Sequence, residues 1–150
     1  MLIRNFNMAE TTELMNLMNT IEKIILKEIE KNPNISFSKI KKILLKEYLT
    51  LANVNDESLL FIHRILILEY QLVNRKPVYI DPNPKIDSLV TGMKNAVSRQ
   101  IRKNPRSNMN GIKNIIIKTD NYLSDNPFFI SMFPHIYNMV VIENNFWKVI

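Results

Sequence analysis

The chain has 150 residues, of which 46% are hydrophobic and 23% are charged, a composition typical of a folded globular protein. It contains no cysteine and only two histidines, which excludes disulfide scaffolds, thiol catalysis, cysteine-ligated zinc and histidine-rich metal sites. Twenty basic residues against fourteen acidic ones give a net charge of +6, which suits a polyanionic partner.

Glycine occurs only twice, which disfavours glycine-rich phosphate loops and favours a mainly helical chain. No apolar run approaches the roughly 18 residues that a membrane span requires. The N-terminal residues also lack the apolar segment of a secretory signal. We therefore expect a soluble, intracellular protein of the cytoplasm, the nucleus or a viral replication site.

The first elements in chain order are three predicted helices. Apolar residues recur at helical spacing over residues 14–29, and Pro33 ends this first helix. Ser36 is a suitable N-cap for a second helix, whose apolar face covers residues 37–48. The pattern predicts a third helix over residues 57–68.

Two short β-prone runs follow the third helix. Residues 70–73 and 78–80 flank the polar segment 74–77, an arrangement typical of a β-hairpin. Prolines at positions 82 and 84 then predict a short, stiff linker over residues 81–86.

The same order of elements recurs in the second half of the chain. Residues 29–33, Ile-Glu-Lys-Asn-Pro, match residues 101–105, Ile-Arg-Lys-Asn-Pro, and the flanking apolar positions match as well. After a three-residue shortening, the second predicted hairpin covers residues 139–142 and 146–150. A pattern repeated over a whole unit indicates internal duplication. The predicted divisions are an N-terminal tail over residues 1–11 and two units over residues 12–80 and 87–150.

Three helices followed by a hairpin form the plan of the winged-helix domain. Both units resemble winged-helix domains, and the chain resembles a tandem winged-helix protein, on element order and apolar spacing. The expected fold class is therefore mainly α with small β-hairpins. The resemblance implies contact with DNA or the transcription machinery, as in transcription regulators and linker histones, or contact with proteins alone, as in endosomal-sorting scaffolds.

The sequence contains none of the common catalytic motifs. It has no glycine-rich phosphate loop, no His-Glu-x-x-His and no nucleophile elbow. His63 lies among apolar neighbours and is interpreted as a satisfied core or boundary residue. His135 follows Pro134 with no acidic residue nearby in sequence, and it is interpreted as structural or surface-exposed. We expect a non-enzymatic protein without cofactor or metal; an enzyme with an unfamiliar site is the remaining alternative.

The strongest functional pattern is a stretch of unbalanced positive charge. Residues 94–118 contain seven basic residues and no acidic one, whereas the matching stretch of the first unit mixes lysines with glutamates. Glu22 of the first unit corresponds to Lys94, and Glu30 corresponds to Arg102. Such a patch attracts phosphates without reading bases. A solvated basic face with no ligand is the alternative interpretation.

The predicted third helices are poorly suited to reading base edges. Residues 57–68 offer only His63 and Arg64 for this purpose, and residues 128–133 contain no basic side chain. We therefore predict weak binding of double-stranded DNA with little sequence preference, in transcription, replication or chromatin organisation. The predicted phosphate contacts are Arg99, Arg102, Lys103, Arg106 and Lys113, assisted by Lys39, Lys42, Arg75 and Lys76.

The third helices are so apolar that they require burial on more than one side. Either the two units pack against each other through these helices, or a partner protein covers them. Pro134 also predicts that the second of these helices is shorter or kinked. The alternative function is a scaffold subunit, or a self-associating module, that uses Leu59, Phe61, Phe128, Phe129 and Phe133.

Overall fold

The computed structural model describes residues 8–47, 56–120 and 127–144, with side chains from residue 16 to 46, 56 to 120 and 129 to 144. Within these ranges the chain forms six α-helices and no β-strand. The prediction of a mainly helical protein is therefore confirmed. The helices are α1 (Met8–Lys31), α2 (Phe37–Glu47), α3 (Asp56–Asn74), α4 (Pro84–Lys103), α5 (Met109–Thr119) and α6 (Pro127–Asn144).

The predicted hairpins are wrong in the described residues, and with them the winged-helix fold of the two units. Residues 70–73, predicted as a strand, belong to α3, and residues 139–142 lie inside α6. Four β-prone residues do not distinguish a strand from a buried helical turn. Here the burial of Met139 and Val140 in the helical core favours the helix. Residues 146–150 lie outside the described ranges.

Residues 76–83 form no regular secondary structure and pair with no strand in the described part of the chain. The backbone N–H of Val78 donates to Oε1 of Gln71 at 3.3 Å, and that of Tyr79 donates to Oδ1 of Asn34 at 2.9 Å. Side-chain amide oxygens therefore accept the bonds that a neighbouring strand would have accepted. Arg75, with φ 53°, carries the chain out of α3 in the left-handed conformation common after helix ends.

Short polar residues fix the beginnings of three helices. The N–H of Lys39 donates to Oγ of Ser36 at 3.2 Å, which confirms the predicted cap of α2. Asn83 caps α4 by accepting from the N–H of Ile86, and Pro84 occupies the first helical turn. Asn108 caps α5 by accepting from the N–H of Gly111 at 2.8 Å. These caps set where α2, α4 and α5 begin.

Helices α3 and α6 lie at the centre of the molecule and make its most extensive helix–helix contact. Helices α1 and α4 each pack against both of them, α2 lies against α1 and α3, and α5 lies against α4 and α6. This pattern of neighbours is unchanged when α1–α3 are exchanged with α4–α6, as an internal duplication would produce. Buried side chains from both halves join in one hydrophobic core. The boundaries of the two units stay a prediction.

The apolar residues that the alternative function assigned to a partner surface belong to this core wherever their side chains are described. Phe129 and Phe133 of α6 stand edge to face with ring centroids 5.7 Å apart, and both are fully buried. Leu59 and Phe61 of α3 are buried as well, whereas the side chain of Phe128 lies outside the described ranges. Packing within the chain therefore supplies the burial that these helices require. Helix α6 is not shortened by Pro134, which lies inside it.

None of the helices within residues 8–47, 56–120 and 127–144 combines the length and apolar character needed to cross a lipid bilayer.

Candidate phosphate-binding groove

The periodicity of α4 separates an apolar face from a basic one. Ile86, Val90, Met93, Val97 and Ile101 are buried at helical spacing against the core. The polar positions that follow these buried residues form two adjacent rows with a spacing of four residues. One row is Lys94, Ser98 and Arg102, and the other is Asn95, Arg99 and Lys103.

Both rows line an open groove of about 630 Å³ between α4 and α6. Val140, Glu143 and Asn144 form the opposite side of this groove. From Lys94 to Lys103 the rise of the helix is about 13 Å at 1.5 Å per residue. That length equals the rise of about four base pairs of B-DNA at 3.4 Å each.

The groove contains an excess of positive charge. Arg99 and Lys103 are exposed and form no hydrogen bond or ion pair with any residue in the described ranges. Nη2 of Arg102 lies 3.5 Å from Oδ1 of Asn144, at the outer limit of a hydrogen bond. Four basic side chains therefore face a lining in which Glu143 supplies the carboxylate.

Glu143 is already engaged within the groove. Its Oε1 lies 2.7 Å from Nζ of Lys94, and the two side chains are 35% and 26% exposed. This ion pair occupies one part of the groove, and the side chains of Arg99 and Lys103 remain accessible. Guanidinium and ammonium donors beside asparagine and serine side chains are the chemistry that binds phosphate groups.

The groove brings together three of the nine predicted phosphate contacts, Arg99, Arg102 and Lys103. The others lie outside its lining. Arg106 is exposed in the turn between α4 and α5, and Lys113 is half-buried on α5. The remaining predicted contacts are exposed on α2 or just after α3: Lys39, Lys42, Arg75 and Lys76.

Sequence reasoning placed Lys94 in the basic stretch but not among the predicted phosphate contacts, and it assigned no role in binding to Asn95, Ser98 or Asn144. The spacing of four residues along α4 could have placed the first three beside the predicted arginines. Asn144 offered no such pattern, because α6 reaches α4 only through the tertiary packing and its last residues were predicted to form a hairpin.

Arg64, one of the two possible base readers, is buried in the structure. Its guanidinium forms an ion pair with Asp87 and donates to the backbone oxygen of Asp81. Asp87 also accepts from the N–H of Asn83 at 3.3 Å. Arg64 therefore holds the start of α4 against α3.

His63 is buried as expected, but it is not fully satisfied. Its Nε2 has no hydrogen-bond partner among the described residues, and its ring stacks on Phe37 with centroids 6.3 Å apart. Burial, together with the charge of Arg64, lowers the pKa of His63 to about 4. The ring is therefore neutral at pH 7.

His135 has acidic neighbours that sequence reasoning did not find. Its Nδ1 lies 2.7 Å from Oε1 of Glu69 on α3, and its Nε2 contacts Oε1 of Glu22 on α1. Asn138 donates to the other oxygen of Glu69 at 3.2 Å. Burial alone would lower the pKa of His135, but the hydrogen bonds and charges of the two glutamates outweigh it and raise the pKa to about 9.

The two glutamates and His135 form a closed ion cluster that joins α1, α3 and α6. Because the ring is protonated at pH 7, both of its nitrogens donate, which leaves no lone pair for a metal or for proton abstraction. The cluster therefore links the three helices through charged hydrogen bonds. Within the cluster, Glu22 is paired with His135. Lys94, which the predicted repeat aligns with Glu22, lines the groove instead.

No family model, curated protein or solved structure matches this chain. The groove is therefore interpreted from its own side chains.

Proposed function

We propose that this protein binds the phosphate backbone of double-stranded DNA, with little sequence preference, in the groove between α4 and α6. The observation that supports the proposal is the pair of exposed cations, Arg99 and Lys103, beside Arg102 on one face of α4. None of the described residues neutralises the first two, so their charge is available to an external anion. Binding to phosphates through such side chains is sequence-independent and sensitive to salt.

The shape of the groove favours contact with backbone rather than with bases. Base edges are read by an element that enters a groove of the duplex, which requires a protruding surface. Here the basic rows of α4 line a concave surface with α6 on its other side. A ridge such as the phosphate backbone fits a concave surface, and phosphate contacts carry no sequence information. The proposed setting is DNA transcription, replication or packaging inside a cell or at a viral replication site.

The proposal is tested with the double substitution Arg99→Gln/Lys103→Gln. A random-sequence 20-base-pair duplex is titrated at several salt concentrations with the wild-type protein and the variant. Each lost phosphate contact lowers the affinity by about tenfold near 0.1 M salt and makes the slope of log K against log salt shallower by about 0.9. We therefore expect a shallower slope by about 1.8 for the double variant.

The matched control is Lys27→Gln/Lys31→Gln on α1. Both lysines are exposed and lie 72 positions before Arg99 and Lys103, so the change in net charge and the place in the repeat are the same. We expect the control to keep the wild-type slope. A flat salt dependence of the wild-type protein would disprove DNA binding, and equal losses in both variants would remove the groove from the proposal.

A further inference from the structure

Glu143 stands apart in the groove because it opposes the ligand that the rest of the lining attracts. It lies in the last turn of α6, and its carboxylate contacts the ammonium group of Lys94 at 2.7 Å. The side chains of both residues are only about one-third exposed or less, so solvent and salt screen this pair less than an ion pair on an open surface.

We propose that Glu143 withholds Lys94 from the ligand, so that one of the four cations in the lining of the groove is kept from phosphates. This inference rests on the proposed function. Glu143 is thereby a residue that sets the affinity of the groove and its number of phosphate contacts.

The physical reason is competition for one ammonium group. A phosphate that approaches Lys94 also approaches the carboxylate 2.7 Å from it, and like charges repel each other. Arg99 and Lys103 lie about 7 Å and about 13 Å further along the axis of α4, at 1.5 Å per residue. A phosphate bound there meets the same carboxylate only at longer range, where salt screens the repulsion.

A limited affinity has a consequence for a protein that binds without sequence preference. Every added phosphate contact strengthens binding to all duplexes alike, because such contacts carry no sequence information. By occupying Lys94, Glu143 lowers the affinity for all duplexes alike and thereby favours exchange between positions on DNA.

The test is the substitution Glu143→Gln, which keeps the size of the side chain and removes its charge. We expect it to release Lys94 as an additional phosphate contact. For the same 20-base-pair duplex, the affinity should rise by about tenfold near 0.1 M salt, and the slope of log K against log salt should become steeper by about 0.9.

Two further variants separate this effect from a change in net charge. Glu30→Gln removes an equal charge from an exposed position of α1, and it should leave the slope unchanged. Lys94→Gln/Glu143→Gln removes both members of the pair, and it should return the slope to the wild-type value. Urea unfolding of each variant verifies that the fold is intact.

The inference is overturned if Glu143→Gln keeps the wild-type slope, or if its effect equals that of Glu30→Gln. Failure of the proposed function has a different signature. In that case wild-type binding is absent, or it is insensitive to Arg99→Gln/Lys103→Gln, whatever the substitution of Glu143 does.

Discussion

Helix α6 makes two charged contacts with opposite outcomes. Against α1 and α3, the protonated ring of His135 lies between the carboxylates of Glu22 and Glu69, and the three side chains are between 15% and 19% exposed. Against α4, Glu143 is the one carboxylate among the described residues that line a groove with four cations. Glu22 and Lys94 are aligned in the predicted repeat, and the opposite charges at these two positions are one of the differences between the closed cluster and the open groove.

The difference teaches how a packed helix becomes a binding surface. Where the chain places opposite charges at contact distance, the charged side chains join helices together and are not available to an external ligand. Where like charges outnumber their partners, their mutual repulsion remains and is relieved by a bound polyanion.

Replacing His135 by Gln should have the largest effect on stability. It leaves the carboxylates of Glu22 and Glu69 close together without a cation, and the cost of breaking a buried ion pair is about 3–5 kcal/mol. Because the cluster is partly exposed, we expect the free energy of unfolding to fall by about 2 kcal/mol, as measured by urea denaturation at pH 7.

The control for this variant is His135→Gln/Glu22→Gln, which removes the repulsion and should recover part of the loss. DNA affinity should be unchanged in both proteins, because the cluster does not line the groove. A single variant as stable as the wild-type protein would show that the cluster does not support the fold.

Deprotonation of His135 at alkaline pH should also lower the free energy of unfolding, by less than the substitution His135→Gln does. The pKa of His135 is about 9 in the folded protein and 6.5 in an unfolded chain. Its stabilising contribution is therefore complete below pH 6.5 and is lost as the pH rises through 9. We expect a loss of about 1 kcal/mol between pH 7 and 9.5 in urea unfolding, after allowance for solvent screening of this partly exposed group.

His63 provides the opposite case on the acidic side. Its pKa of about 4 is lower than the unfolded value of 6.5, so stability is lost as the pH falls from 6.5 through 4. His135→Gln should flatten only the alkaline arm of the stability profile. An alkaline arm that persists in this variant would assign the pH dependence to other groups.

Features with local causes could be predicted from the sequence. Pro33 lies just after the end of α1, Ser36 caps α2, and the basic stretch of α4 contains the cations of the groove. The causes of these features lie within a few residues: a missing N–H, a hydroxyl acceptor and a helical spacing of four. The order of three helices, which occurs once in each half of the chain, could be predicted for the same reason.

Features that depend on distant residues could not be predicted. The partners of His135 are 66 and 113 residues away, so its immediate neighbours in sequence gave no indication of the cluster. The run 70–73 has strand-like composition, but its extension of α3 follows from packing against the core. Likewise, the backbone N–H of Val78 donates to the side chain of Gln71 rather than to a neighbouring strand. Local propensity is a weak guide wherever tertiary contacts decide the outcome.

The smallest effect is expected for the stability of Glu143→Gln, and it decides whether the two contacts of α6 differ in kind. A partly exposed ion pair contributes about 0–1 kcal/mol, and here the release of Lys94 beside other cations adds slight repulsion. We expect the free energy of unfolding to fall by less than about 0.5 kcal/mol in urea at pH 7. If Glu143→Gln cost as much as His135→Gln, the Lys94–Glu143 pair would be a structural tie like the His135 cluster. In that case, the gain in DNA affinity that we expect from Glu143→Gln would need another explanation than the release of the Lys94 ammonium group.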